Sequence, residues 1–317
     1  MKAIRIHAFG GPESLVYEDI SEPQLKAGEV LVQTHTVGVN PIDWKTCSGG
    51  GAAPFIGDLP FVPGWEFSGH VIACGSDVSG FTSDDGVFGF VRFPEAAGCY
   101  AEQIAVPAEQ ISLLPPSVDL KLAGGLALAG LTAWQALFDK GALKPKQKVL
   151  IIAAAGGVGH LAVQLAKWKG AHVTGTASSS NHDFLTSIGC DEVLDYHQAD
   201  SLSGDRRFDL IIDGVGGDTG IDAVEYLAEG GCLVTLPSVT KDAVIAAGQA
   251  KGKQVLPIRV EPNAQQLSIL ASLVAEGELK MHLATSYSLS EAAQAFKDIA
   301  SGHTRGKVVL TVSQPTL

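Results

Sequence analysis

The sequence is most informative at residues 148–160, which read KVLIIAAAGGVGH. An apolar run of strand length, residues 148–153, ends in a glycine cluster, and a segment with helical periodicity, residues 161–169, follows at once. This order predicts a strand, a tight turn and a helix, the opening of a dinucleotide-binding unit. Gly156 would let the backbone approach a pyrophosphate, and Gly159 would let the helix pack close to the strand. The helix N-terminus would offer free N–H groups to the phosphates.

The glycine pattern is degenerate, because Ala154 stands where G-x-G-x-x-G has its first glycine. Its context strengthens the prediction. A second strand-like run, residues 171–176, follows the helix, and a third, residues 208–212, ends in DGVGG. Further strands are predicted at 193–194, 231–236 and 254–260. Strands that alternate with helices in this way predict an α/β fold, a doubly wound parallel sheet with helices on both faces.

Length and charge restrict the function classes. A chain of 317 residues is long for one core, so two domains are expected. The formal net charge of −12 argues against a nucleic-acid or anionic-membrane partner, which would need a basic surface. The apolar runs are too short to span a bilayer. The sequence opens directly with an alternating strand at residues 1–6, without a signal-peptide pattern, so a cytoplasmic protein is expected.

The regions outside the dinucleotide-binding unit differ in character. Residues 1–115 consist of short apolar runs broken by Gly and Pro, which predicts a compact barrel-like or sandwich β domain. Residues 122–138 are rich in Leu and Ala and predict a helix. The tail is mixed, with helices predicted at 263–276 and 290–300 and strands at 285–289 and 307–312.

Three segments carry a family resemblance. They read GVNPIDWK at residues 38–45, PGWEFSG at residues 63–69 and LTAWQAL at residues 131–137. In this order, around the glycine-rich unit, they resemble the medium-chain dehydrogenase/reductase superfamily, and within it the zinc-independent quinone oxidoreductase and alkenal (enone) reductase branch. The resemblance implies a GroES-like β-barrel domain built from residues 1–120 and 260–317, with a Rossmann domain, residues 121–259, inserted between them.

No metal is expected. The resembled superfamily includes zinc alcohol dehydrogenases, whose catalytic histidine lies in a Pro-Gly-His-Glu motif, and here that position is Trp65. The segment that would carry their four-cysteine lobe, residues 90–101, holds only Cys99, and Cys47 alone cannot hold zinc. The five cysteines are widely spaced and include no C-x-x-C, so neither a disulfide framework nor a structural zinc site is predicted.

The end of the second Rossmann strand favours NADPH as cofactor. An NAD site usually has an acid there for the ribose 2′-hydroxyl, whereas residues 176–182 read TASSSNH and the first acid is Asp183. The resemblance implies that Ser178 and Tyr196 hold the 2′-phosphate. The basic residue that the family often adds is missing, and His182 is the nearby substitute.

Asn40, Asp43 and Lys45 are the predicted catalytic residues. They lie in a polar break after an apolar strand. The resemblance implies that this segment borders the nicotinamide, with Asn40 and Thr132 in contact with it. The Asp-x-Lys form resembles enone reductases, in which hydride reaches the β-carbon and negative charge develops on the carbonyl oxygen. A lysine ammonium there would stabilise the enolate. The alternative is a solvated loop, with Asp43 and Lys45 as surface charges.

The resemblance implies a larger cofactor site. Its residues are Asn40, Lys45, Thr132, Gly156, Gly157, Val158, Ser178, Ser179, Tyr196, Val215, Leu236, Gly306 and Lys307. The predicted walls of the substrate pocket are Trp44, Phe55, Ile56 and Trp65.

Two functions remain open on the sequence. The first is an NADPH-dependent reductase of a quinone or an α,β-unsaturated carbonyl. The second is a non-catalytic NADPH-binding protein, a sensor or a crystallin-like member, since the same fold can host both. The resemblance also implies a homodimer with its interface at residues 231–238 and the segment after them, although a buried sheet strand explains the apolar run there equally well.

Overall fold

The computed structural model describes residues 1–198, 202 and 206–312. The chain divides into two compact units. The first comprises Met1–Leu131, Glu261–Gly277 and the chain from Leu283 onward, and the second comprises Thr132–Val260 and Glu278–His282. The units therefore divide after residues 131 and 260, whereas the sequence predicted divisions after residues 120 and 259. In addition, the short stretch 278–282 belongs to the second unit.

A two-stranded antiparallel sheet and a seven-stranded mixed sheet form the first unit. Its strands, numbered along the chain, are β1 (Lys2–Ile6), β2 (Leu15–Asp19), β3 (Glu29–Val39), β4 (Glu66–Cys74), β5 (Gly86–Phe90), β6 (Gln103–Pro107), β7 (Ile111–Leu113), β14 (Leu283–Ser288) and β15 (Lys307–Thr311). β1 pairs with β2, and the larger sheet runs β14-β15-β3-β4-β5-β7 with β6 on β3. The C-terminal strand β15 pairs antiparallel with β3, so both ends of the chain build this unit.

A six-stranded parallel sheet forms the second unit. Its strands are β8 (Lys148–Ile152), β9 (His172–Ala177), β10 (Glu192–Asp195), β11 (Phe208–Asp213), β12 (Leu227–Thr235) and β13 (Gln254–Pro257). They run in the order β10-β9-β8-β11-β12-β13, the doubly wound order in which two halves diverge from the first strand. The predicted Rossmann architecture is confirmed.

Nine α-helices lie within the described residues. They are α1 (Pro41–Cys47), α2 (Leu120–Ala123), α3 (Ala127–Trp134), α4 (Gly159–Trp168), α5 (His182–Ser187), α6 (Gly217–Ala223), α7 (Lys241–Ala250), α8 (Ala264–Ala275) and α9 (Ala292–Ala300). In the second unit, side chains of β8 and β11 pack against α6 and α7 in a buried cluster that includes Leu150, Ile211 and Val244. Over the described part of the chain, every helix is too short or too polar to cross a membrane.

The predicted helix over residues 122–138 is not continuous. It is divided into α2, α3 and a π-helical turn at Gln135–Lys140. The break falls at Gly124, where a Cβ would lie 2.5 Å from the Thr36 side chain. Close packing against β3 therefore requires glycine at this position, within a segment whose composition alone favours one helix. The predicted all-β character of residues 1–115 also missed the helix α1.

Candidate functional site

Helix α1 begins directly after the apolar strand β3. Asn40 is its N-cap and Pro41 its first residue, where the fixed φ of proline suits a helix start. The Asp43 carboxylate accepts a 2.7 Å hydrogen bond from the Asn40 backbone N–H, a reciprocal capping contact. The alternative of a solvated loop does not hold for Asp43, which is fully buried.

Asp43 lies in a closed polar cluster inside the first unit. The Tyr100 hydroxyl donates to Asp43 Oδ2 over 3.0 Å, while Oδ1 is buried and has no hydrogen-bond partner within the described structure. Burial raises the pKa of Asp43 to about 7, and the nearby Glu66 carboxylate adds to this while Lys307 opposes it. The same burial raises the pKa of Tyr100 well above its ordinary value.

Glu66 is the centre of this cluster, and the sequence prediction did not include it. Its Oε1 accepts from Asn40 Nδ2 over 2.7 Å and from Lys307 Nζ over 2.8 Å. Its Oε2 accepts from the backbone N–H of Leu128 at the start of α3 over 2.8 Å. One carboxylate therefore ties together the end of β3, the start of α3 and the strand β15.

The absence of a side chain at Gly38, on β3, leaves room for the Glu66 carboxylate. A Cβ on Gly38 would lie 1.9 Å from Glu66 Oε1, so only glycine fits at that position. The signal that could have identified Glu66 is an acid inside an apolar run, between Trp65 and Phe67, because such a buried carboxylate needs a cationic partner.

Two residues predicted to bind cofactor, Asn40 and Lys307, are brought together here. Lys307 Nζ donates to Asn40 Oδ1 and, over 3.3 Å, to the Val39 carbonyl. The Asn40 amide is thus held at both ends, by Lys307 and by Glu66. Gly306 precedes Lys307 with a φ of 69°, which favours glycine in this turn.

Lys45 lies two residues beyond Asp43 on α1 and is half-buried. Its Nζ is 5.7 Å from the centroid of the Trp44 ring. In the described part of the chain, no carboxylate lies within salt-bridge distance of this ammonium. Of the other predicted pocket walls, Phe55 is 52% exposed and Trp65 is buried. The Trp65 indole donates to the Glu95 carbonyl over 2.7 Å, so it lies in the interior of the unit.

The second unit carries the predicted glycine turn between β8 and α4. A Cβ on Gly159 would lie 2.2 Å from the Ala153 carbonyl oxygen, so packing of the helix on the strand requires glycine there. A Cβ on Gly156 would meet only the Ala153 oxygen, at 3.3 Å. Within the described residues, the N–H groups of Gly157 and Val158 have no acceptor. An open helix N-terminus with free N–H groups suits a pyrophosphate.

The other predicted cofactor residues of this unit follow the carboxyl ends of neighbouring parallel strands. Ala177 pairs with Asp195 across β9 and β10, and Ser178 and Tyr196 are the next residues on each strand. Asn181 Nδ2 donates to Ser178 Oγ over 3.0 Å, and the adjacent Ser179 is exposed. Carboxyl ends at one edge of such a sheet form the usual ligand crevice.

A buried aspartate, which the sequence prediction also missed, organises the loops after β11 and β12. Asp213 Oδ1 accepts from the N–H groups of Val215 and Gly216, and Oδ2 accepts from the Thr235 hydroxyl over 2.8 Å. Leu236 donates its N–H to the Asp213 carbonyl. The predicted residues Val215 and Leu236 are therefore both positioned by Asp213. Thr132 is buried within α3.

Comparison with known proteins identifies the family. Residues 26–116 match the alcohol dehydrogenase GroES-like domain, and residues 188–310 match the zinc-binding dehydrogenase family. A chloroplast envelope quinone oxidoreductase homolog of Arabidopsis thaliana is 32% identical to this chain, with 98% of each covered. This chain belongs to the medium-chain dehydrogenase/reductase superfamily.

Solved structures of the superfamily agree over the whole chain. The quinone oxidoreductase from Coxiella burnetii superimposes with a TM-score of 0.95 at 39% identity, covering 99% of both chains. The Escherichia coli quinone oxidoreductase in complex with NADPH superimposes with a TM-score of 0.86 at 25% identity, covering 98% of this chain and 100% of the other. The predicted fold, a Rossmann domain and a GroES-like domain, is confirmed, and the chain is an NAD(P)H-dependent oxidoreductase.

Proposed function

We propose that this protein transfers hydride from NADPH to a quinone or an α,β-unsaturated carbonyl without zinc. The observation that carries the proposal is the half-buried side chain of Lys45, whose ammonium has no carboxylate within salt-bridge distance in the described structure. It is carried on a helix whose N-terminus is capped by Asn40 and Asp43. A lysine ammonium facing a substrate stabilises negative charge on the substrate oxygen. The similarity to proteins named quinone oxidoreductases supports the same acceptor class.

The residues have separate roles in the proposed reaction. When bound, NADPH supplies the hydride. Lys45 stabilises the oxygen of the acceptor as that oxygen becomes negative, and water supplies the final proton. Asn40 is the proposed contact to the nicotinamide on the family resemblance, and its amide is clamped by Glu66 and Lys307. Asp43 is enclosed by protein, so its part is to hold α1, and with it Lys45, in place.

NADPH rather than NADH is proposed from the strand ends of the second unit. Ser178 and Asn181 are hydrogen-bonded neighbours, and neither carries a charge that would repel a 2′-phosphate. The imidazole Nε2 of His182 is buried without a hydrogen-bond partner within the described residues, so His182 is not counted among the candidate ligands of the 2′-phosphate. Asn181, which the sequence prediction did not include, joins Ser178 and Tyr196 as a candidate for binding the 2′-phosphate.

Zinc independence is proposed from the donor set. Trp65 is buried where a metal-binding histidine stands in the zinc branch, and its indole N–H donates to the Glu95 carbonyl. Among the described residues, no group of three His, Cys, Asp or Glu side chains could hold a metal.

A homodimer is proposed as well. Residues 231–235 of the predicted interface are buried in the sheet between β11 and β13, so they are unavailable to a second chain. The parts left for an interface are the edge strand β13 and the exposed Val239. Unpaired edge strands are a common route to association. Sedimentation equilibrium at micromolar concentration should give the mass of two chains, and a mass of one chain contradicts this proposal.

The experiment that tests the proposed function is stopped-flow oxidation of NADPH and of NADH with a panel of ortho- and para-quinones and 2-alkenals. Rapid oxidation of NADPH by at least one acceptor class is expected. Tight binding of NADPH without turnover of any acceptor would instead support a non-catalytic NADPH-binding protein. Turnover with alcohols or saturated ketones only would contradict the proposed acceptor class.

A further inference from the structure

His160, the second residue of α4, uses both ring nitrogens within the second unit. Its Nδ1 lies 2.9 Å from the carbonyl oxygen of Gly156. The backbone N–H of His282 donates to its Nε2 over 3.3 Å. The side chain is fully buried. His160 therefore joins the glycine turn to the stretch of residues 278–282, which lies more than a hundred positions further along the chain.

These two contacts determine one protonation state of the ring. A carbonyl oxygen can only accept, so the Nδ1 atom of His160 carries the hydrogen. A backbone amide can only donate, so Nε2 is bare. A proton on Nε2 would face the N–H of His282 and break that contact. The geometry selects the neutral Nδ1–H tautomer: the Gly156 carbonyl keeps the hydrogen on Nδ1, and the His282 N–H of the 278–282 segment keeps Nε2 unprotonated.

Gln164, one helical turn after His160, fixes the same segment. Its Nε2 donates to the Lys280 carbonyl over 2.9 Å, and its Oε1 accepts from the Lys280 N–H over 2.8 Å. The Phe184 ring packs on the His282 ring with centroids 4.9 Å apart. Residues 278–282 are thus docked on α4 by two successive turns of the helix.

The Gly156 carbonyl is held by two donors, the Nδ1–H of His160 and, over 3.1 Å, the His160 backbone N–H. In a trans peptide the carbonyl of one residue and the N–H of the next are coplanar and point in opposite directions. Holding the carbonyl of Gly156 therefore fixes the direction of the Gly157 N–H. That N–H is one of the free donors of the glycine turn.

We infer that His160 is a positioning residue for the cofactor turn, and that docking of residues 278–282 on α4 keeps its Nε2 unprotonated and holds its ring in place. This inference rests on the glycine turn holding the cofactor, as proposed above. Because coupling between two binding events is reciprocal, cofactor binding and docking of the segment should strengthen each other.

The tautomer is tested first, without cofactor. Long-range nitrogen–proton NMR spectra of the nitrogen-15-labelled protein at neutral pH should show His160 protonated at Nδ1 and bare at Nε2. An Nε2–H tautomer or an imidazolium would overturn the inference. This result does not depend on whether the protein binds NADPH, so it separates failure of the inference from failure of the proposed function.

Three substitutions then separate the two contacts. In His160→Asn the amide nitrogen can take the place of Nδ1, so the donor to Gly156 is kept and the contact with His282 is lost. In His160→Gln an amide oxygen can take the place of Nε2, so the contact with His282 is kept and the donor to Gly156 is lost. His160→Leu removes both. The dissociation constant of NADPH should rise about tenfold in the Leu and Gln variants and less than threefold in the Asn variant.

Gln164→Leu serves as the matched variant for the segment, since it releases Lys280 and keeps His160. It should raise the NADPH dissociation constant severalfold. In a separate measurement, saturating NADPH should slow amide hydrogen exchange in residues 278–282 of the wild type but not of His160→Leu. In all four variants kcat at saturating NADPH should change less than twofold, with near-wild-type melting as evidence of folding. Equal weakening in the Asn and Leu variants, or no weakening in any, would overturn the inference.

Discussion

Lys307 Nζ lies 2.8 Å from Glu66 Oε1, and the two side chains are 4% and 0% exposed. Two charges this deeply buried lose their hydration, and the loss is offset only when further hydrogen bonds complete the site. Here Asn40 bonds to both partners, and the Leu128 N–H satisfies the second Glu66 oxygen. The pair therefore belongs to a satisfied network that positions Asn40.

Removal of one partner from this network should be costly. Lys307→Met leaves the Glu66 carboxylate buried without a cation, and we expect a loss of about 3–5 kcal/mol in the free energy of unfolding. The double variant Glu66→Gln/Lys307→Met should lose clearly less than the sum of the two single variants. Urea denaturation measures all three. Lys2→Met, which breaks an exposed ion pair with Asp19, is the control and should have a much smaller effect.

Asp43 should make stability depend on pH. Its pKa is raised from 3.8 to about 7 in the folded protein, so the folded state holds a proton that the unfolded state releases between these values. Stability from this group is therefore present at low pH and is lost as the pH rises towards 7. From pH 5 to pH 8 the wild type should lose about 3 kcal/mol relative to Asp43→Asn, which has no such proton.

The measurement is urea denaturation of both proteins at each pH. The difference between them isolates Asp43, because all other titrating groups are shared. A parallel pH dependence of the two proteins would mean that Asp43 keeps an ordinary pKa.

The Rossmann unit could be predicted because its signals are local. The apolar strand, the glycine turn and the helix of residues 148–169 are contiguous, and the structure gives β8 and α4 there. The network around Glu66 could not be predicted in the same way. Its bonds join Lys307 to residues 241 and 267 positions earlier in the chain. No local pattern records which buried acid will meet which buried lysine.

Helix α1 lies between these two cases, because only part of what determines it is local in sequence. Its start carries a local signal, an N-cap asparagine followed by proline and, two residues later, aspartate. The sequence nevertheless predicted a polar break instead of a helix, because Asp43 is a polar residue that is buried in the structure. The burial follows from the partners that surround it, Tyr100 and the Asn40 backbone, and these are brought there by the fold.

The cofactor preference should reverse with one charge. Ser178→Asp places a carboxylate at the end of β9, where it would repel a 2′-phosphate and could accept from a ribose 2′-hydroxyl. The wild type should bind NADPH more tightly than NADH, and the variant should lose or reverse this preference, as measured by fluorescence titration. Thr186→Asp adds the same charge at an exposed position of α5 and should leave the preference unchanged. Equal affinity of the wild-type protein for both cofactors would contradict the prediction.

Activity should not depend on zinc. Elemental analysis of the purified protein should find no stoichiometric metal, and a chelator should leave turnover unchanged. The reason is the donor set, since Trp65 is committed to the Glu95 carbonyl and the Cys47 thiol is buried. One zinc per chain that is lost together with activity would refute this prediction.

Lys45 provides the sharpest test of the proposed chemistry. If its ammonium stabilises the developing oxyanion, Lys45→Ala should lower the rate of enone reduction at saturating NADPH about a hundredfold, which corresponds to roughly 3 kcal/mol. The affinity for NADPH should change little, because the proposed phosphate ligands belong to the glycine turn and the end of β9. A quinone accepts electrons more readily and needs less stabilisation of its oxygen, so its reduction should slow less. Lys26→Ala, an exposed lysine of the same unit, is the control. Weakened NADPH binding with an unchanged saturated rate would make Lys45 a cofactor ligand, and no change in either quantity would make it a surface lysine.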